Sequence, residues 1–430
     1  MSRTRHSAAA RLVTGALVSL LVCLSCAACG GASSESASIV QAQRLQTRAR
    51  VAVTRAEAAV SVHVPTVANQ AAPSFPTTGG FKTPLASHQV VGFLPYWDLG
   101  SSVSDYADLT TLVYWSVSPA ADGSIVHGGD GWSGLKSNDL VAAVNEAHAV
   151  GDRVLLTVFS QNYSLIGSLT RHPTSAGRVM AEDVAVLLRK GDFDGVDIDL
   201  EGDSGTQRSG FVRLIASFSH TLRSIHNSWS IMLDTYASSA TDPSGFFDVK
   251  ALMAYVDDLF VMAYDMQDQE VASATAPLTN ASLNDASTLA QYASVVPIRR
   301  IVLGIPLYGY DFVSSSRLDG AEAEGNPTAV TYAQIVAAGH KAMWDPVTET
   351  PYTVVHRNGK WHQTWFDDPL SIALKTALAA QFGCAGVGVW ELGMSGGDAS
   401  IYAALLAGKE PLKLTLASGD AATHALTPQR

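Results

Sequence analysis

Phe193-Asp194-Gly195-Val196-Asp197-Ile198-Asp199-Leu200-Glu201 decides how this chain folds. Val196, Ile198 and Leu200 alternate with Asp197, Asp199 and Glu201. Successive side chains of a β-strand point to opposite faces, so one face is aliphatic and the other carries three carboxyls in a row. Stacking three acids costs roughly several kcal/mol in repulsion and desolvation. Their obvious use is to keep one carboxyl protonated near neutral pH, as a general acid requires. A calcium loop spaces acids similarly, but it wants Gly at its sixth position and Glu at its twelfth. Counted from Asp197, the sixth is Gly202 but the twelfth is Arg208; counted from Asp194, the twelfth is Gly205, which has no side chain to ligate.

Short apolar strands recur on both sides of this stretch. They are predicted at Val90–Tyr96, Thr111–Ser118, Arg153–Phe159, Gly195–Glu201, Ser230–Tyr236, Leu259–Tyr264, Arg300–Pro306 and Gly386–Glu391. Many are continuous apolar runs, as expected where both faces of a parallel sheet are covered. Helical patterns fall between most of them, most clearly at Leu140–Val150, Ala176–Leu188, Phe211–Ile225 and Leu370–Phe382. Strands alternating with helices predict an α/β chain folded as a (β/α)8 TIM barrel. The segment between the seventh and eighth strands is long and holds Tyr352–Val355 and Trp361–Phe366 around Asn358-Gly359, a hairpin signal. It reads as a small insertion over about 310–368.

Glu201 then falls at the C-terminal end of the fourth strand, the end at which such barrels place catalytic groups. Other groups collect at predicted strand ends: Tyr96 and Trp97, Trp115, Asp234 and Tyr236, Tyr264 and Asp265, Tyr308, and Trp390. Flat rings and carboxylates together suit a sugar, with apolar surfaces for the pyranose faces and acceptors for the hydroxyls.

The 430 residues are 47% hydrophobic and carry a net charge of −11. That balance argues against a nucleic-acid partner and against attraction to anionic lipid. Arg3, Arg5 and Arg11 precede an apolar run from Leu12 to Leu24 and then Ala27-Ala28, the pattern of an export signal and too short to span a membrane well. Cys29, between Ala27-Ala28 and Gly30-Gly31, resembles a lipoprotein cleavage site, although Cys26 stands where Leu is usual; the alternative is an ordinary secretory signal. Membrane association is expected only through such an anchor. Residues 30–88, rich in Gly, Ser, Ala and Pro, read as a linker, and 409–430 as a polar tail. Cys384 alone remains in the folded region and reads as a buried thiol.

The region 89–408 resembles glycoside hydrolase family 18, the chitinase-like barrels. Asp194-Gly195-Val196-Asp197-Ile198-Asp199-Leu200-Glu201 matches the family's fourth-strand motif at every acidic position. Met262-Ala263-Tyr264-Asp265 looks like its sixth-strand motif, Leu303 to Gly309 like its seventh, Gly388-Val389-Trp390-Glu391-Leu392 like its eighth, and Val91-Gly92-Phe93 with Tyr96-Trp97 like its first. Gly304-Ile305-Pro306-Leu307-Tyr308-Gly309-Tyr310 and the short insertion look closest to the bacterial cell-wall and spore-cortex branch.

The resemblance implies hydrolysis of β-1,4 bonds next to N-acetylglucosamine in peptidoglycan or chitin, with the substrate's acetamido oxygen as nucleophile. Glu201 would be the acid and base, Asp199 the orienter of the acetamido group, Asp197 its proton-sharing partner, and Tyr264 a donor to the acetamido carbonyl. Trp390 would floor the pocket, with Asp194, Tyr96, Trp97, Met262, Asp265 and Tyr308 as further substrate contacts. No metal or cofactor is implied, and a monomer is expected. The third strand departs from the family: Leu155 to Asn162 lacks the usual glycine pair, which bears on the substrate more than on the acid chemistry. A catalytically silent glycan-binding barrel and a docking platform are the competing readings.

Overall fold

The computed structural model describes residues 88–101 and 108–407. The expected signal segment with Cys29, the linker up to residue 87 and the polar tail lie outside the described residues. Seven parallel strands come first: β1 (Gln89–Pro95), β2 (Thr111–Val117), β3 (Arg153–Ser160), β4 (Gly195–Leu200), β5 (Ser230–Tyr236), β6 (Asp258–Met262) and β7 (Ile301–Pro306). After an excursion through β8 (Tyr308–Ser314), β9 (Thr328–Thr331), β10 (Ala342–Asp345), β11 (Thr350–Arg357) and β12 (Lys360–Trp365), the chain returns as β13 (Gly386–Trp390) between β7 and β1. The eight-stranded ring is closed and parallel throughout. Each barrel strand lies within two residues of its predicted span.

The helices that cover the ring start and stop where local chemistry provides. Asn138–Val150 is capped by the Ser137 hydroxyl, which accepts from Leu140 N at 3.1 Å, and it ends at Gly151 in the left-handed region. Pro173–Gly191 and Arg208–Ile225 bury their apolar stripes against each other and the sheet. Pro369–Phe382 is capped by Asp368 and buries Lys375, whose ammonium donates to Asp285 Oδ2 at 2.6 Å and lies 3.5 Å from Asp367 Oδ1. Among the described residues no helix is long and apolar enough to cross a membrane.

The register fixes what fills the ring. Asp197 pairs with Thr157 and Met232, Phe260 with Val302 and Asp234, and Gly304 with Gly388 and Met262, so these positions share the inner face. Gly304 and Gly388 are inner positions because a Cβ on either would sit 2.8 or 2.7 Å from the Phe260 ring. Phe260 takes the space those glycines leave and meets Phe93 edge-on at 5.0 Å. At the opposite, N-terminal face, His88 Nε2 contacts Leu405 O at 2.8 Å just before β1 begins.

The excursion is a five-stranded antiparallel sheet in the order β10-β11-β12-β8-β9. It begins at Tyr308, with Leu307 alone between it and β7. Its hairpin turns at Asn358 (φ 53°) and Gly359 (φ 76°), both left-handed, as a type I′ turn demands. One face buries Tyr310, Phe312, Gln363 and Trp365.

Candidate active site

The carboxyls of Asp197 and Asp199 on β4 and of Glu201 just past its end gather at the C-terminal mouth of the ring, and all three residues are buried. Asp197 Oδ2 accepts from Thr157 Oγ1 at 2.9 Å and shares a hydrogen bond with Asp234 of β5. Asp199 Oδ2 accepts the indole N–H of Trp115 at 3.1 Å. Glu201 Oε1 accepts from Gln161 Nε2 at 2.5 Å. Burial pushes Asp197 up to about 7. Burial and the neighbouring Asp197 push Asp199 up to about 8, against the Trp115 bond that lowers it. Asp234 is held well above the carboxylate range by burial and by Asp197, Asp199 and Glu201. The three aspartates titrate as a set, each holding its proton more tightly than a free carboxyl does.

Rings wall this acid cluster. Trp115 stands 5.2 Å from Trp390 and 4.5 Å from Phe159. Tyr96 and Trp97, on a single 3-10 turn after β1, pack on the Trp115 ring at 6.3 and 5.3 Å. Tyr264 follows β6, is buried, and is held protonated by burial and by the charges of Asp234, Asp199 and Glu201. Asp265 takes a left-handed backbone (φ 58°) and accepts from Tyr308 Oη at 2.8 Å and Tyr310 Oη at 2.7 Å. Met262 ends β6 on the inner face. Asp199 Oδ1 and Trp390 Nε1 are buried with no hydrogen-bond partner among the described residues, which leaves one acceptor and one donor for an incoming group.

The fold therefore gathers Glu201, Asp199, Asp197, Tyr264, Asp265, Met262, Tyr308, Trp390, Tyr96 and Trp97 at one mouth. Asp194 is a correction. It precedes β4 at the N-terminal end, where its Oδ2 accepts from Val154 N at 2.8 Å and contacts His148 Nε2 at 3.0 Å. Glu201 lies seven positions further along the chain, about 23 Å at 3.3 Å per residue, so Asp194 stitches the floor of the barrel at the end away from the acidic mouth.

Sequence reasoning left out four contributors. Thr157 sits on β3 and Gln161 directly follows it, and Tyr310 is the second donor to Asp265. The fourth is an acid pair behind the Trp wall. Glu391, just after β13, is buried and accepts from Gly393 N at 2.9 Å. Burial and its neighbour Asp98 hold it well above the usual range, and burial raises Asp98 as well. Each acid directly follows a tryptophan that had drawn notice, Trp390 and Trp97, and that adjacency was the available signal.

Known proteins of this architecture supply the remaining context. Residues 89–395 match the model of the family described as glycosyl hydrolases family 18. Di-N-acetylchitobiase of Rattus norvegicus is 29% identical over 270 residues, covering 57% of this chain and 71% of that protein. The cortical fragment-lytic enzyme of Bacillus anthracis is 23% identical over 299 residues, covering 66% of this chain and 65% of that protein. The crystal structure of a family 18 chitinase from Cycas revoluta with (GlcNAc)3 superposes with a TM-score of 0.66 at 19% identity, covering 74% of this chain and 98% of that one. With the match extending through every barrel strand and the acidic mouth, this chain belongs to glycosyl hydrolase family 18 and is a glycosidase.

Proposed function

We propose that the protein is an exported or lipid-tethered hydrolase of β-1,4 linkages next to N-acetylglucosamine, in peptidoglycan or chitin fragments, working by substrate-assisted retaining catalysis. One observation carries the reading: Glu201 stands at the mouth with Asp199 below it on the same inner face, and Asp199 keeps an unpartnered oxygen. The names of its relatives, a chitobiase and a cortex-lytic enzyme, fit the same glycan chemistry.

In this reaction Glu201 gives its proton to the glycosidic oxygen, and the leaving sugar departs as an alcohol. The acetamido carbonyl oxygen attacks the anomeric carbon from the other face and forms an oxazolinium ion. Asp199 accepts the acetamido N–H and stabilises the developing positive charge, while Tyr264 donates to the acetamido oxygen. Asp197 and Asp234 exchange protons with Asp199 as its charge changes. Glu201, now ionised, takes a proton from water, which opens the oxazolinium ion and restores the original configuration. Trp390 and Trp115 hold the sugar faces and keep bulk water away.

The test is incubation of the protein and its Glu201→Gln variant with N-acetylglucosamine oligomers and peptidoglycan, with products read by mass spectrometry. Cleavage by the native protein alone, inhibited by an acetamido-mimicking thiazoline, is the expected result. Binding without cleavage of either polymer would replace the reading with a glycan-binding one.

A further inference from the structure

The third strand lacks the glycine pair of the family pattern, and its end is occupied instead by Ser160-Gln161-Asn162. The backbone there is clamped on both sides. Ser160 O accepts from Glu201 N at 2.9 Å, so β3 and β4 remain in register up to the catalytic residue. Asn162 Oδ1 accepts from Leu165 N at 3.1 Å and caps the helix Tyr163–Arg171, while Asn162 N donates to Ser160 Oγ at 3.1 Å. Gln161 is held between a strand ladder and a helix cap, and its amide reaches Glu201 Oε1 at 2.5 Å. An amide N–H can only donate. Oε1 must therefore accept, and a proton on Glu201 resides on the other oxygen.

We propose that Gln161 is the positioning residue of the general acid: it holds Oε1 as acceptor, so that Oε2 carries the proton aimed at the glycosidic oxygen. This rests on the hydrolase reading above and adds to it a device that opposes the rest of the site. Glu201 directly follows the strand that carries Asp197 and Asp199, and its charge acts on Asp234 of β5 and on Tyr264 just after β6. Their negative charge favours the protonated acid, and Tyr264 adds none while it stays protonated. The Gln161 donor favours the carboxylate and is placed to stabilise it after proton transfer, when the same group must act as base.

The experiment is the pH profile of kcat/KM for the full chain and its Gln161→Leu and Gln161→Glu variants. Gln161→Leu is expected to move the alkaline limb up by about half to one pH unit, to lower kcat about tenfold and to leave KM within about twofold. Gln161→Glu is expected to move the limb further, because two carboxyls then share one proton. An unmoved limb with reduced kcat would mean a merely structural role, and a downward shift would mean that the amide oxygen faces a protonated acid; either overturns the proposal. Isotope-edited infrared titration of the Glu201 carboxyl, referenced to Glu201→Gln, reads the same order of shifts without substrate. If the native protein cleaves nothing, the hydrolase reading falls, and the titration still decides whether Gln161 holds Glu201 as stated.

Discussion

Trp115 reaches across an intervening strand to donate its indole N–H to Asp199 Oδ2 at 3.1 Å, with Phe159 of that strand 4.5 Å from its ring. The bond favours the ionised form of an aspartate that burial and Asp197 push up to about 8 even with the bond in place. Trp115→Phe keeps a ring in the wall and deletes only the donor. Turnover should fall about tenfold, with the apparent ionisation of the aspartate set moving upward. Steady-state kinetics across pH check this, and an unchanged profile would count against the role of the bond.

Stability should fall with rising pH through the neutral range. Asp197, Asp199 and Asp234 have folded values above their unfolded ones, so between about 4 and 8 the folded state binds more protons than the unfolded state. Each contributes least stability once pH exceeds its folded value. Asp234→Asn has no proton to lose, so its melting temperature relative to the native protein should improve between pH 5 and pH 8. Calorimetric scans at three pH values measure this; a constant offset would sink it.

Lys375 is the cation of a buried cluster with Asp285 and Asp367, all of them about 1% exposed or less in their side chains. Lys375→Met leaves two buried acids without their counter-charge and should cost about 3–5 kcal/mol. Asp285 is pushed up to about 7 by burial even with the lysine present. The loss should therefore be smaller at pH 6, where the acids take up protons, than at pH 8. Denaturant unfolding at the two pH values gives the comparison.

Gly388→Ala would place a methyl 2.7 Å from the Phe260 ring and 2.9 Å from Val91 Cβ. Overpacking of this kind costs about 1–3 kcal/mol. Phe260→Leu in the same chain should recover part of that loss, which a double-mutant cycle would report as a coupling energy. Additive losses would show that Phe260 does not set the space at Gly388.

The barrel was legible because β4 carries period-two alternation and its neighbours carry continuous apolar runs, both of which are local signals. The hairpin was legible because only a few residue pairs accept the left-handed angles seen at Asn358 and Gly359. Gln161 was not legible as a partner of Glu201, since forty residues separate them and only the pairing of Phe159 with Asp199 brings them level. Asp98 and Glu391 meet through closure of the ring between β1 and β13, which no local pattern encodes. Asp194 misled for the opposite reason: it is a near neighbour of Glu201 in sequence, but an extended strand converts that nearness into the full depth of the barrel.

His88 and the start of β1 lie on the floor of the barrel, on the side opposite the acidic mouth. A support that gripped the domain at that floor would leave its opening facing away, as a cup stands on its base.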